Sequence, residues 1–457
     1  MAGVMDYLDS HSERFMTDLA DLLAIPSIST ASAHRADVLA AAELTARYLS
    51  RSGLEHVAIL DTAGHPVLVA DWLHAPGRPT LLLYGHLDVQ PADPEGEWTS
   101  PPFQPTVREG RLFARGAADT KANVLSALWA CEAYLQSEGR LPVNVRFLLE
   151  CEEEVGSPSL RQLVRSRRQE LLASAVINLD AGQLAEDQPG LTTSYRGLVG
   201  LEVEVRTAET DAHSGGLGGL IANAAMTLAH LLARLQDDEG RVLVPGFYDQ
   251  VRPIPPDQAR ELATLGPGAE RLAQGVGARG LWGDPAHGPV ARNWLRPTLE
   301  VNGIWGGFQG EGSKTVIPAV ARAKITCRLV ADQEPERVFT LLEETIRGMA
   351  PPYATVRVRA TSGFATPYHL DPAHPVARSA AKVLTGLYGR PPLEVGAGGS
   401  VPATAIFKEE LGLDSVAFGF ALPDEHVHAA DEFFRLADLR RGRQAVALLL
   451  QEVAAQP

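Results

Sequence analysis

Apolar positions recur every three to four residues over Met5–Leu23 and Val38–Ser52, which predicts two amphipathic helices, the second ending before Gly53. Short apolar runs at His56–Leu60, Pro66–Trp72 and Thr80–Tyr84 predict strands. Helical spacing returns over Asn123–Ser137 and stops near Gly139, while Val143–Leu149 and Ala175–Leu179 have the continuous apolar character of buried strands. Such strands alternating with helices indicate an α/β sheet covered on both faces.

The pattern changes after Arg196. Leu198–Val205 alternates as a half-buried strand does, and Ile221–Leu235 has the spacing of a helix. Pro297–Gly303 and Ala321–Val330 predict strands, Glu336–Met349 a helix and Ala354–Ala360 a strand. In order this is β-α-β-β-α-β, the split pattern of a ferredoxin-like α+β domain. A Gly/Pro-rich stretch from Asp237 to Arg296 interrupts it and is too long for a plain loop, which predicts short helices or an interface of its own there. After about Thr366 the α/β texture resumes, with helices near Pro375–Tyr388 and Arg435–Val453. The expected organisation is one domain in two segments, residues 1–196 and 366–457, with residues 197–365 inserted.

Composition narrows the function classes. The chain has 457 residues, enough for two or three domains, and 45% of them are hydrophobic. Lys and Arg total 41 against 56 Asp and Glu, a net charge of −15, which argues against a nucleic-acid binder that must neutralise phosphates. No apolar run approaches the roughly 18 residues of a membrane span. The first residues carry acids where a signal peptide would carry basic ones, and three scattered cysteines supply neither a disulfide framework nor a thiolate zinc site. The expectation is a cytoplasmic protein with no nucleic-acid or membrane partner.

Five segments place metal-type ligands at strand ends. In Gly85-His86-Leu87-Asp88, residues 86 and 88 point the same way on extended backbone, so the pair is either a metal ligand with its supporting carboxylate or a loop His with a capping Asp. Asp119 precedes a long helix and can cap it or bridge two cations. Glu152, Glu153 and Glu154 follow a buried strand, where mutual repulsion requires either a cation or a solvated turn. Asp180 closes another apolar strand, and His426 and His428 lie among four acids in Leu422–Glu432. Open α/β sheets collect ligands at the carboxyl ends of their strands. A nitrogen and oxygen donor set without thiolate suits zinc, manganese or cobalt.

Taken together and in order, these segments resemble those of the di-zinc exopeptidase superfamily of carnosine-type dipeptidases, aminoacylases, glutamate carboxypeptidases and succinyl-diaminopimelate desuccinylase. The likeness covers nearly the whole chain. It is nearest to the dipeptidase branch, through Leu422-Pro-Asp-Glu, Gly312-Ser-Lys314-Thr315-Val-Ile-Pro318 and the long stretch inside the inserted domain. The resemblance implies a doubly wound, mostly parallel-sheet catalytic domain with a ferredoxin-like lid and dimerisation domain inserted. It implies two divalent metal ions per subunit, zinc first and manganese or cobalt as alternatives. His86, Asp119 and Asp180 would hold one ion, and Asp119, Glu154 and His428 the other. Asp88 would support His86, and Glu153 would be the general base for a water held between the ions. The register in the Glu run follows from Val155-Gly156-Ser157, and His428 is preferred to His426 for its spacing to Glu432. Two positions depart from the family pattern, Asp431 where Asn is usual and Ala122 where Gly is common, and neither removes a ligand.

In the inserted domain, Thr210-Asp-Ala-His213-Ser-Gly-Gly216 can be an ordinary polar turn. By the resemblance, His213 would reach the partner subunit's site and stabilise the transition state there, making the protein a homodimer. Arg328, Thr315 and Ser400 would bind the substrate's carboxylate and backbone, a task for which an Arg fork is well shaped. The expected activity is hydrolysis of dipeptides or very short peptides with a free C-terminal carboxylate. One rival is an N-acyl-amino-acid deacylase with the same site, and a more distant one is a non-catalytic binding protein on the same fold. A serine hydrolase is disfavoured because no G-x-S-x-G turn occurs.

Overall fold

The structure is a computed structural model and describes residues 1–361, 363–399 and 401–456. The chain divides into two compact units, one formed by residues 1–193, 370–395 and 402–457 and the other by 194–369 and 396–401. The second unit thus begins slightly earlier than the sequence pattern suggested, and it also takes the short segment 396–401.

The first unit is built on a six-stranded sheet in the spatial order Glu55–Leu60, Val67–Trp72, Asn144–Glu150, Thr80–His86, Ala175–Asn178, Ser415–Ala417. The last four strands are mutually parallel and the first two antiparallel. Helix Ala122–Glu138 makes the crossover from Thr80–His86 to Asn144–Glu150 and ends on Gly139 in the left-handed region, φ 71°. The next crossover returns past Thr80–His86 to its other side. The strand order therefore reverses around Thr80–His86, and in open α/β sheets ligands collect at the carboxyl ends of the strands at such a point. Every residue from Ala122 to Tyr134 in that helix is buried, and it packs against helices Ala2–Ser10 and Leu436–Ala454. Trp129 is fully enclosed, and truncating it to Ala would cost about 3–5 kcal/mol.

One expected helix is broken. Met5–Leu23 is two helices, Ala2–Ser10 and Ser12–Leu23, joined at His11 with φ −102°. Ser12 Oγ turns back to the Asp9 carbonyl at 2.8 Å, so short polar side chains satisfy the backbone locally and allow the kink. The helix expected over Ile221–Leu235 runs only from Ala224 to Ala233 because Asn223 caps it, its Oδ1 accepting from Ala225 N and Met226 N.

The second unit carries an antiparallel four-stranded sheet, ordered Thr298–Gly306, Val320–Leu329, Gly197–Arg206, Thr355–Ala360. Numbered by sequence this is 2-3-1-4, the ferredoxin-like order. Helices Ala224–Ala233 and Pro335–Gly348 cover one face, where Val199, Leu201, Val203, Ile325, Cys327, Leu342 and Ile346 form the core. The Gly/Pro-rich stretch contains helices Pro256–Ala263, Gly266–Gly275 and Pro289–Leu295. Among the described residues no helix is long and apolar enough to cross a membrane.

Candidate metal centre

Strand Thr80–His86 delivers a completely buried imidazole at its carboxyl end. Gly85 just before it is required by a close approach, since a Cβ there would meet Val124 Cγ2 at 2.7 Å. The Nδ1–H of His86 donates to the main-chain carbonyl of Asp88 at 3.0 Å, which leaves Nε2 to face Asp119 Oδ1 at 2.9 Å and Asp180 Oδ1 at 3.9 Å. The other oxygen of Asp119 lies 2.9 Å from His428 Nε2, and Glu154 Oε2 lies 3.3 Å from the same nitrogen. One carboxylate thus stands between two imidazoles. His86, Asp119 and Asp180 form one donor group and Asp119, Glu154 and His428 a second, the donor atoms of each lying within 4.8 Å of one another.

The run of three glutamates is sorted by the turn that follows its strand. Glu152 is spent on structure, its carboxylate accepting from His65 N at 2.9 Å and Ser159 N at 2.6 Å. Glu153 and Glu154 face the cluster. Their N–H groups donate to the two carboxylate oxygens of buried Asp88 at 3.3 and 3.1 Å. Asp88 therefore fixes His86 mainly through its backbone and fixes the glutamate turn through its side chain, two tasks where the sequence suggested one.

Charge follows from this crowding. Burial first, and then the Asp180 carboxylate, push Glu153 up to about 9. Burial also raises Asp180, with Asp119 adding to it. Burial alone would raise Asp119, but hydrogen bonds from His428 and His86 outweigh it and hold the carboxyl below its ordinary range. The same contact with Asp119, and that with Glu154, lift His428 to about 10. Among the described residues no Lys or Arg pairs with Asp119, Glu153, Glu154 or Asp180; the ion-pair partners there are the two imidazoles. Four carboxylates around two imidazoles, all oxygen and nitrogen donors, form a set that divalent cations complete.

Several supporting groups were not legible as such in the sequence. Fully buried Glu432 accepts from Arg115 Nη1 at 2.6 Å and from the N–H groups of Gly116, Ala118 and Asp119 at 3.0, 2.9 and 3.2 Å, holding the loop that presents Asp119. Gln90 Nε2 donates to Glu154 Oε2 at 2.8 Å, and Asn178 Oδ1 accepts from Asp180 N at 3.0 Å. Glu432 served in the sequence only as a spacing mark, and no local pattern identifies the other two. Asp431 has φ 56°, and its two carboxylate oxygens accept separately from Thr99 N and Thr99 Oγ1 at 2.9 and 2.6 Å; an Asn oxygen can fill the first of these roles. His426 lies outside both donor groups, its ring edge-on to Phe433.

In the second unit, His213 and Thr315 meet through the paired strands Ala212–His213 and Val316–Ile317. His213 Nδ1 accepts from Gly215 N at 3.0 Å and Gly216 N at 3.2 Å, so the ring proton sits on Nε2, which lies 3.5 Å from Thr315 Oγ1. Both side chains are exposed. Arg328 lies near the end of strand Val320–Leu329, directly opposite Leu198. Ser400 lies outside the described residues.

The sequence profile of peptidase family M20/M25/M40 matches residues 82–452. The chain is 29% identical over 465 residues to the Cys-Gly metallodipeptidase dug1 of Schizosaccharomyces pombe, covering 98% of this chain and 97% of that protein. It is 28% identical to the human Beta-Ala-His dipeptidase, covering 99% and 92%. Among solved structures, it resembles the metallo-carboxypeptidase Sso-CP2 of Sulfolobus solfataricus with a TM-score of 0.81 at 29% identity, over 97% of this chain and 99% of the other.

Proposed function

We infer that this chain, which belongs to peptidase family M20/M25/M40, is a metal-dependent dipeptidase whose catalytic centre is the cluster around Asp119. The observation that carries this reading is the pair of donor groups sharing Asp119, with a half-buried carboxyl of raised pKa, Glu153, on the turn that supplies Glu154. The two dipeptidases it resembles are named for Cys-Gly and β-Ala-His, substrates that share a single peptide bond and a free C-terminal carboxylate and differ in their side chains.

His86, Asp119 and Asp180 would hold one divalent cation and Asp119, Glu154 and His428 a second, with zinc the first candidate and manganese or cobalt next. Bound there, such ions supply Lewis acidity at the scissile carbonyl and a water acidic enough to lose its proton near neutral pH. Glu153 takes that proton and later returns it to the leaving amine, a role that calls for a carboxyl with a raised pKa. Asp88 keeps His86 and the Glu153–Glu154 turn in register. Arg328, with Thr315 and Ser400, grips the substrate's C-terminal carboxylate. His213, its proton on Nε2, donates to the oxyanion that forms at the carbonyl.

We place that last contact in the partner subunit's site of a homodimer. Leu220, Met226 and Ile304 of the second unit are 76%, 56% and 64% exposed, and strand Thr298–Gly306 is an unpaired sheet edge, features suited to a second copy. Three buried cysteines without disulfides accord with a cytoplasmic location.

The test is a matched pair of substrates, Ala-Leu and N-acetyl-Leu, given to enzyme stripped with a chelator and restored with zinc or manganese. Metal-dependent cleavage of Ala-Leu with little or none of N-acetyl-Leu is the expected result. Preference for the acetylated compound would move the protein to the deacylases, and metal-independent cleavage would sink the cluster as the catalytic centre.

A further inference from the structure

The second unit contains a cavity of about 240 Å³ to which none of the roles above is attached. Trp294, Leu295, Ile254, Val330 and Ala331 give it a mainly apolar wall, and Arg196 lines it as well. Arg252, at the same cavity, is already neutralised by Asp332, its Nη2 lying 2.7 Å from Asp332 Oδ1.

Arg196 connects this cavity to the face that carries Arg328. Val199, Cys327 and Leu329 point into the buried core of the sheet. Alternation along the strands puts Leu198 and its direct partner Arg328 on the opposite face, and Arg196 immediately precedes strand Gly197–Arg206. The proximity is felt electrically: burial first and the Arg328 guanidinium second push Arg196 down to about 10.

The same arginine holds the turn before Ser400. Its backbone N–H donates to the Gly399 carbonyl at 3.0 Å and its Nε to the Gly398 carbonyl at 2.8 Å. That turn in turn is fitted against helix Pro289–Leu295. A Cβ on Gly396 would come within 2.7 Å of Trp294 Cβ, and one on Gly398 within 2.7 Å of Asn293 Oδ1. The cavity wall, Arg196 and the approach to Arg328 are therefore one fixed assembly.

A C-terminal residue carries its side chain on the carbon bonded to its carboxylate carbon. If the carboxylate lies against Arg328, the side chain must enter space close by. We propose that this cavity receives the side chain of the substrate's C-terminal residue, and so selects dipeptides that end in an apolar residue of leucine or phenylalanine size. The proposal rests on the dipeptidase reading and on Arg328 as the carboxylate's holder. An apolar occupant fits because Trp294, Leu295, Ile254, Val330 and Ala331 make up most of the wall and Arg252 is neutralised by Asp332. Burying a leucine side chain is worth roughly a tenfold to hundredfold gain in affinity.

The experiment compares kcat/KM of the metal-loaded full chain for Ala-Gly, Ala-Leu, Ala-Phe and Ala-Glu. Ala-Leu and Ala-Phe should exceed Ala-Gly by about tenfold or more, chiefly through KM. Ala331→Phe, which fills the cavity, should bring the ratio of Ala-Leu to Ala-Gly towards one. That ratio is read within a single preparation, so a loss of folded protein does not move it. Calorimetric titration of the wild-type protein with free leucine and free glycine gives an independent readout, with leucine expected to bind more tightly. Equal values across the substrate series, a preference for Ala-Glu, or an unchanged ratio in Ala331→Phe would overturn the pocket and leave the dipeptidase reading standing. Metal-dependent silence on every substrate would overturn both.

Discussion

In the first unit Asp119, Glu153, Glu154 and Asp180 crowd around two imidazoles at strand ends, while the second unit presents two guanidiniums, Arg196 and Arg328, and an exposed His213–Thr315 pair. The first arrangement crowds half-buried carboxylates together, a state that cations relieve. In the second, Arg328 lies on the sheet face opposite the helices, near enough to Arg196 to push that guanidinium's pKa down. The first unit thus gathers carboxylates and the second guanidiniums. The cluster is supported from beneath by a dense set of hydrogen bonds through Asp88, Gln90, Asn178 and Glu432. His213 is held by two backbone donors on Nδ1 and by the Thr315 hydroxyl 3.5 Å from Nε2.

The sharpest way to break this contrast is to remove the half-buried acid that stands outside both donor groups. Glu153→Ala should lower kcat by about 10³-fold while both metal ions stay bound, measured by turnover and metal analysis of one sample. Retained activity would mean that another glutamate is the base. His213→Ala should be nearly as damaging, and mixing it with Glu153→Ala under subunit exchange should restore partial activity. No recovery in verified heterodimers would remove His213 from the partner's site. Next in size, His428→Ala should weaken metal occupancy by about tenfold to a hundredfold, whereas His426→Ala should leave it alone. The reverse result would exchange the two assignments. The smallest effect belongs to Asp431→Asn, which keeps the acceptor for Thr99 N and tolerates φ 56° and should change kcat/KM by less than about twofold. A large loss there would show that the negative charge itself matters to the cluster.

Period and punctuation carried most of the fold. Helix Asn123–Ser137 and strand Val143–Leu149 came out within a residue or so of their observed limits, because burial on all sides leaves a continuous apolar signal and Gly139 ends the helix by its left-handed backbone. The break at His11 was hidden, since the apolar spacing continues across it and only the Ser12 side chain redirects the backbone. Ligand-type residues were visible as separate strand-end segments. Their gathering depends on the strand order, which juxtaposes residues 86, 119, 154, 180 and 428 and cannot be read from spacing alone. Glu432 shows the limit clearly: its bonds reach back more than three hundred residues to Arg115, Gly116 and Ala118, and no local pattern encodes them.

The edge strand Ser415–Ala417, paired in parallel with Ala175–Asn178, has a consequence for biosynthesis. Synthesis proceeds from the N-terminus, and domains made that way commonly fold in the order they emerge. Here the sheet of the second unit, Gly197 to Ala360, leaves the ribosome whole, while the six-stranded sheet still lacks its last strand and the cluster still lacks His428. A nascent chain therefore carries His86, Asp119 and Asp180 long before it can assemble the second donor group. The second donor group cannot assemble until residue 428 has been made, and a message cut short before codon 428 yields a polypeptide missing one of the two donor groups.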